Sequence, residues 1–176
     1  MHAPIEPSAW VRRWARLIPH GQYGGRVLDV ACGPGRHARY LAGLGYRVDA
    51  VDRDAATLVQ LDGAIGVTIL AADLENGPWP YAAEKFSGIV VTNYLHRPLF
   101  PKLLNSLAGG GMLIYETFAA GNERYGRPSN SDFLLRPGEL LEVVRGKLNV
   151  IAFEEGLVEQ PGFAVVQRIC AVNMAG

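Results

Sequence analysis

Between residues 26 and 172, short β-branched and apolar runs alternate with stretches of helical period, and that alternation predicts most of the architecture. Strands are predicted at 27–30, 46–51, 67–71, 89–92, 112–118, 150–153 and 164–172. Helices are predicted at 35–44, stopped by Gly45; at 55–61, capped by Asp54; at 98–107, opened by Pro98; and at 137–145, opened by Pro137 and closed by Gly146. Ahead of these, after a proline-broken tail over 2–7, Ser8 is placed to cap an amphipathic N-terminal helix within 1–20. Its apolar stripe is Trp10, Val11, Trp14, Leu17 and Ile18, with Arg12, Arg13 and Arg16 opposite and Pro19 and Gly21 as the stop. Strand–helix–strand alternation predicts a doubly wound α/β fold with a mostly parallel, seven-stranded, Rossmann-like sheet. Only about ten residues, Pro161 and Gly162 among them, separate the last two strands, too few for a parallel crossover, so the C-terminal strand should close as an antiparallel hairpin.

Two segments break the rhythm. Pro78, Trp79, Pro80 and Tyr81 interrupt 73–86, which predicts an irregular crossover in place of a helix. The segment 119–136 follows a strand and is longer than most loops of compact domains. Arg124, Tyr125, Arg127 and Phe133 give it the composition of an ordered loop, and we expect it to be a lid over a substrate site.

The length of 176 residues, 49% hydrophobic and 19% charged, fits one globular domain over 1–176. Its 17 basic and 17 acidic residues cancel to a formal charge of +0, which removes the electrostatic footprint of a general nucleic-acid binder or a polybasic membrane anchor. The 21 Gly and 11 Pro, with no Gly-X-Y period, imply many tight turns. Cys32 and Cys170 are too few for a disulfide framework, and no apolar leader or run of roughly 18 apolar residues is visible. A cytoplasmic protein without a membrane span is the expectation.

The most informative run is Val27-Leu28-Asp29-Val30-Ala31-Cys32-Gly33-Pro34-Gly35-Arg36-His37-Ala38, a strand ending in a glycine-rich turn that opens a helix. Glycines in that context let backbone approach a ligand closely. Gly33 to Ala38 also satisfies the G-x-G-x-x-G/A dinucleotide pattern, with Asp52 about where a ribose-binding acid belongs. Asp29 discriminates. A carboxylate inside an apolar strand just before the loop would repel a pyrophosphate, whereas a cofactor carrying ammonium and sulfonium cations would be held by it. S-adenosylmethionine (SAM) is such a molecule.

The run resembles the first motif of the class I SAM-dependent methyltransferases, acid-x-Gly-x-Gly-x-Gly, with Ala31 in place of the first glycine. The resemblance continues in order over roughly 8–174. Asp52 ends the second strand, where the family's acid grips both ribose hydroxyls. Asp73 follows the third, where the acid meets the adenine amino group and the backbone N–H of the next residue, Leu74, meets the ring. Phe86-Ser87-Gly88-Ile89-Val90-Val91-Thr92-Asn93 looks like the fourth-strand motif, with Gly88 where an Asp is common, and Gly109-Gly110-Gly111 looks like the turn into the fifth strand. The resemblance implies SAM (product S-adenosylhomocysteine) held by Asp29, Ala31, Cys32, Gly33, Gly35, Asp52, Arg53, Asp73, Leu74 and Asn93. Asn93-Tyr94-Leu95-His96-Arg97-Pro98-Leu99, Tyr115-Glu116-Thr117-Phe118 and 121–128 narrow it to small stand-alone bacterial, tellurite-resistance-like methyltransferases.

On this reading the acceptor site has Asn93, Tyr94, His96 and Arg97 as its floor and 115–118 as one wall. Segment 119–136 closes over it, with Arg124 and Arg127 placed to orient an anionic group. Arg97 with Pro98 can equally begin the next helix, and Asp52 and Asp73 can equally be cap and turn formers. The fourth-strand end lacks the Pro-Pro-aromatic arrangement of many base and amide N-methyltransferases, which favours a small-molecule acceptor and disfavours nucleic acid. Cys32 reads as a small residue in a tight cradle, with no nucleophilic role. Tyr81 and Lys85 match a dehydrogenase pair in spacing but lack its helix. His2, His20, His37 and His96 show no metal-ligand spacing, and there is no Gly-x-Ser-x-Gly elbow or Gly-Lys-Ser/Thr phosphate loop. Two other classes stay open: an NAD-dependent oxidoreductase and a non-catalytic SAM-binding module.

Overall fold

The computed structural model describes residues 6–21 and 25–174; most of the proline-broken tail lies outside them. Seven strands form one sheet in the order β3-β2-β1-β4-β5-β7-β6. They are β1 (Arg26–Val30), β2 (Arg47–Asp52), β3 (Val67–Ala71), β4 (Phe86–Thr92), β5 (Leu107–Phe118), β6 (Asn149–Val158) and β7 (Ala164–Val172). The first five run parallel, β7 lies antiparallel to β5, and β6 and β7 form the expected antiparallel hairpin. β1 and β4 sit at the centre and are buried almost throughout, because helices cover both faces and leave no solvated side to alternate toward.

One face is packed by α1 (Ala9–Trp14), α2 (Arg36–Gly43) and α3 (Ala55–Leu58), the other by α4 (Phe100–Ser106) and α5 (Glu139–Val144). Ser8 caps α1 through the amides of Trp10 and Val11, and Asp54 caps α3 through those of Ala56 and Thr57. Tyr46 falls just outside β2; its hydroxyl donates to the carbonyls of Ala15 and Ile18 and docks the end of the N-terminal helical segment. The departure at Gly88 has a steric cause: a Cβ there would lie 2.8 Å from Cδ1 of Ile18, which packs against the strand.

Several boundaries differ from expectation, β4 starting three residues early at Phe86 among them. β5 starts at Leu107, because 108–111 are wound into the strand as a bulge between the Phe86–Leu107 and Gly88–Met112 pairs. β6 continues to Val158, paired with β7 down to Ala164. α5 begins at Glu139, after a left-handed Gly138. The crossover 73–86 carries no helix: Trp79 and Tyr81 pack against the core instead, with the Trp79 indole N–H on Ser106 Oγ. Without a covering helix on that crossover, β3 is an exposed edge strand.

Candidate functional site

The parallel strands all end on one edge of the sheet, the edge where open α/β sheets bind ligands. A cavity of about 360 Å³ opens there. Ala31, Asp52, Arg53, Asp73, Leu74, Asn93 and Tyr94 line it, together with Glu75, Leu95, Thr117, Phe118, Pro128 and Phe133. Seven of the fourteen site residues named from sequence thus meet around one space. Asp29, Cys32, Gly33 and Gly35 form the strand end and turn beside it. His96, Arg97 and Arg124 do not line it.

The turn is cross-braced. Cys32 N–H donates to the Val51 carbonyl and Gly35 N–H to the Cys32 carbonyl, while Gly33 N–H reaches Asp52 Oδ2 at 2.9 Å. Gly33 has φ +53° with open space where a Cβ would point, so the backbone is bare toward any ligand. Ala31 also takes a left-handed conformation, φ 51°, which costs an L-residue roughly 1–2 kcal/mol and marks the place where the family pattern has glycine.

Asp29 is 1% exposed, and neither carboxylate oxygen has a hydrogen-bond partner. Burial pushes its pKa up to about 7; the Ala38 amide and the Arg36 charge oppose this without closing a hydrogen bond to it. An unpaired buried carboxylate is costly, and a cation beside it would remove that cost. The donor set therefore fits the ammonium-bearing end of SAM and does not fit a pyrophosphate. Cys32 is buried next to Asp29 and Asp52; burial first, then these charges, push its thiol up, so it stays protonated.

Asp52, at the end of β2 and in the cavity lining, accepts from Gly33 N–H on Oδ2 and from Asp54 N–H on Oδ1, which leaves each oxygen further capacity to accept. Asp73 accepts from the Glu75 and Asn76 amides and the Asn76 side chain, bonds that hold it below the usual carboxylate range. It forms its turn and lines the cavity at once. Asn93 is left-handed, φ 53°, a conformation Asn tolerates, and its N–H donates to the Glu116 carbonyl. The Tyr94 hydroxyl donates to Glu75 Oε1 at 3.1 Å, and Tyr115 donates to the Tyr94 carbonyl at 2.7 Å. Burial and then Glu75 push the Tyr94 phenol up, so it remains a donor.

Two features escaped the sequence reading. Glu75 lies only two residues past Asp73 but belongs to no family motif. His37, inside the glycine-loop run, accepts the Ser8 N–H on Nε2 at 3.0 Å and sits 3.2 Å from Thr92 Oγ1 through Nδ1. Burial, then Arg36, lowers its pKa to about 3, so the ring is neutral and its Nδ1–H is assigned to Thr92. The N-terminal helix is thereby tied to the helix that follows the glycine turn.

Arg97 bonds Glu139 and two carbonyls of the 119–136 segment, those of Asp132 and Leu134. His96 precedes the short turn Arg97–Leu99 and its carbonyl accepts from Leu99 N–H, and Arg124 is the exposed last residue of the turn Asn122–Arg124. Segment 119–136 is pinned at its base by an Ala119–Leu135 bridge and inside by buried Asn122, whose side chain bonds Val165 N–H and the Pro128 carbonyl. Tyr81 and Lys85 lie off the cavity, with Lys85 paired to Asp49. Among the described residues no group of three or more His, Cys, Asp or Glu is placed to hold a metal ion.

A glycine turn after the first strand, acids at the ends of the first three strands and this strand order define the fold of the class I SAM-dependent methyltransferases. Residues 27–110 of the 176 match the family described as "Methyltransferase domain". Among solved structures it is similar to a SAM-dependent methyltransferase from Methanosarcina mazei, with 13% identity and a TM-score of 0.72 over 97% of this chain and 100% of that one. It is similar to TehB from Haemophilus influenzae, with 19% identity and a TM-score of 0.73 over 93% of this chain and 61% of that one. A third is Burkholderia thailandensis 1,6-didemethyltoxoflavin-N1-methyltransferase, solved with bound 1,6-didemethyltoxoflavin and S-adenosylhomocysteine: 20% identity, TM-score 0.66, 95% of this chain and 79% of that one. At these identities the likeness is one of fold. A search of curated proteins found no match.

Proposed function

We propose that this chain transfers the methyl group of SAM to a small-molecule acceptor by in-line displacement. The observation that carries the reading is Asp29: a buried carboxylate with no partner, beneath a bare glycine turn and beside Asp52. Bound SAM supplies an electrophilic methyl whose leaving group departs neutral. The protein's part is then to hold, align and keep dry, and positioning can supply roughly 7–11 kcal/mol of such a barrier. Asp29 holds the ammonium end, Asp52 takes the ribose hydroxyls, and Asp73 with the Leu74 N–H takes the adenine edge. Ala31, Cys32, Gly33 and Gly35 shape the cradle, with Arg53 and Asn93 at its rim.

The acceptor end has Tyr94 as its polar group, and Leu95, Phe118, Pro128 and Phe133 give it an apolar wall, which supports a small acceptor with a flat or apolar body. A small-molecule methyltransferase among the similar structures supports the same choice. Segment 119–136 serves as the acceptor-side cover. His96 and Arg124 are assigned to its approach, outside the cavity wall. Two free buried cysteines, and no helix among the described residues long and apolar enough to cross a membrane, support a cytoplasmic setting.

A thermal-shift series with SAM, S-adenosylhomocysteine, NAD and ATP tests the cofactor. At 100 times its dissociation constant a ligand stabilises by about 2.7 kcal/mol. Stabilisation by the two adenosyl compounds and not by NAD is expected; a shift with NAD alone would return the chain to the oxidoreductase reading.

A further inference from the structure

Phe133 is 53% exposed, yet it forms part of the cavity wall. Its own turn, Ser131–Phe133, is closed by three local bonds: Asp132 N–H to Asn130 Oδ1, Phe133 N–H to the Asn130 carbonyl, and Leu134 N–H to the Ser131 carbonyl. A single exposed turn of that kind does not by itself fix an aromatic ring over an opening, because such turns exchange among conformations at little cost. The restraint comes from another segment of the chain. Arg97, four residues beyond Asn93 on the connection that follows β4, donates from Nη1 to the Asp132 carbonyl and from Nη2 to the Leu134 carbonyl, each at 2.9 Å. These two carbonyls flank Phe133 on either side.

The guanidinium is itself locked. Its Nε donates to Glu139 Oε1 at 2.7 Å and its Nη2 to Oε2 at 3.0 Å, while the Arg136 N–H donates to Oε2 at 2.7 Å. Glu139 is 6% exposed. Burial opposes its charge, but the bonds from Arg97 and Arg136 outweigh burial and hold its carboxyl below the usual range. A planar fork can pair with a carboxylate and span two carbonyls at once; a lysine ammonium is a single point and cannot.

We propose that Arg97 is a positioning residue for acceptor selection: by clamping the carbonyls on both sides of Phe133 it sets the distance between the β4 end, with Tyr94 and Leu95, and the loop wall. It does this without touching the acceptor. The proposal rests on the methyltransferase reading for the meaning of "acceptor", but the clamp can be tested separately from it.

Hydrogen–deuterium exchange, followed by mass spectrometry on the full chain, is compared for wild type, Arg97→Lys, Arg97→Gln and Glu139→Gln, with S-adenosylhomocysteine titrated into each by calorimetry. The expected result is at least tenfold faster exchange over 132–136 in both Arg97 variants and a smaller increase in Glu139→Gln. Exchange in β1 and β4 and the S-adenosylhomocysteine affinity should stay within twofold of wild type. Wild-type protection in Arg97→Lys would overturn the proposal, since charge alone would then suffice. Faster exchange spread evenly through the sheet would also overturn it, as the mark of general destabilisation. If Arg97→Gln does not fold, Arg97→Lys and Glu139→Gln decide the matter. Absence of S-adenosylhomocysteine binding in wild type would count against the methyltransferase reading and leave the exchange result standing.

Discussion

The two halves of the cavity are built differently. Asp29, Ala31, Asp52 and Asp73 stand at or just past the ends of three parallel strands whose register is fixed by ladder hydrogen bonds: Asp29 lies opposite Ala50 and Val90, and Asp52 opposite Ala71. Pro128 and Phe133 stand on a segment that leaves the sheet, held at its ends by backbone bonds to the sheet and along its length by side chains such as Asn122, Arg97 and the Tyr125–Phe163 ring pair. A half made of strand ends is rigid because any movement there breaks several backbone bonds at once. A half made of a pinned loop has its shape set by a few side chains and can be retuned by changing one. On the proposed reading, the rigid half would hold the cofactor and the adjustable half would meet the acceptor.

The largest expected effects lie in the strand-end half and come from two buried groups with opposite linkage. Asp29 keeps its proton in the folded state up to about pH 7, whereas the unfolded chain loses it near 3.8, so this group makes stability fall as pH rises through that window. His37 stays neutral in the folded state down to about pH 3, whereas the unfolded ring takes a proton near 6.5, so this group makes stability fall as pH drops through that window. Each limb is on the order of 4 kcal/mol at most, and between about pH 4 and 6.5 they oppose. Asp29→Asn should stabilise the ligand-free protein at pH 7 and expose the acid limb; His37→Gln should expose the other. Urea unfolding at several pH values reads both. Two variants with parallel pH profiles would mean the two groups do not titrate as a matched pair. In wild type, SAM affinity should rise as pH passes upward through about 7, because the cation needs the ionised carboxylate, and Asp29→Asn should bind at least tenfold more weakly with no such rise.

Next in size is Asp52→Ala. It removes the proposed ribose grip and also the acceptor for the Gly33 N–H, so the turn loses its brace as well. A loss of S-adenosylhomocysteine affinity of about 100-fold, or about 2.7 kcal/mol, is expected by calorimetry. A loss of only a few fold would show that the strand-end half is not where the adenosine is anchored.

This contrast also explains what could be read from the sequence. Strand-end acids were legible because each follows an apolar β-branched run and each lies where a known motif puts an acid; Asp29 was informative for being the wrong kind of residue in that run. The bulge at 108–111 was hidden, since three glycines signal a turn whether or not the strand pairs across it. Arg97 was marked for being at the right edge, but the edge alone could not say which way a long side chain points. Its partners, Glu139 and two backbone carbonyls, are some 40 residues downstream and carry no local pattern. Glu75 became visible only when the chain was folded, and Phe133, marked only as part of an ordered loop, acquired its place in the cavity wall there, as loop residues obey no period.

The loop half is sharpened by Phe133→Ala. Shortening this side chain opens the wall without breaking the Arg97 clamp, whose acceptors are backbone carbonyls. The KM of any acceptor with an apolar body should rise about tenfold, or about 1.4 kcal/mol, with cofactor affinity unchanged. Arg97→Lys should raise KM in the same direction with kcat altered less. A fall in kcat with KM unchanged in either variant would place the residue in contact with the reacting atoms and erase the distinction between wall and clamp.

The smallest expected effect tests whether the N-terminal helix belongs to either half. Ser8 Oγ accepts from the Trp10 and Val11 amides and donates to Glu116 Oε1 at 2.7 Å, while its N–H serves His37. Ser8→Ala removes the cap and the Glu116 bond but keeps the amide on His37, so a loss of about 1 kcal/mol is expected, seen as a Tm lower by about 3 °C. S-adenosylhomocysteine affinity should change less than twofold, because His37 keeps its acceptor role and the glycine turn keeps its own bonds. If affinity instead falls tenfold while Tm moves as expected, the helix is a third wall of the cofactor half, reached through the Ser8–His37–Thr92 chain, and cofactor binding then depends on a segment that can detach from the sheet.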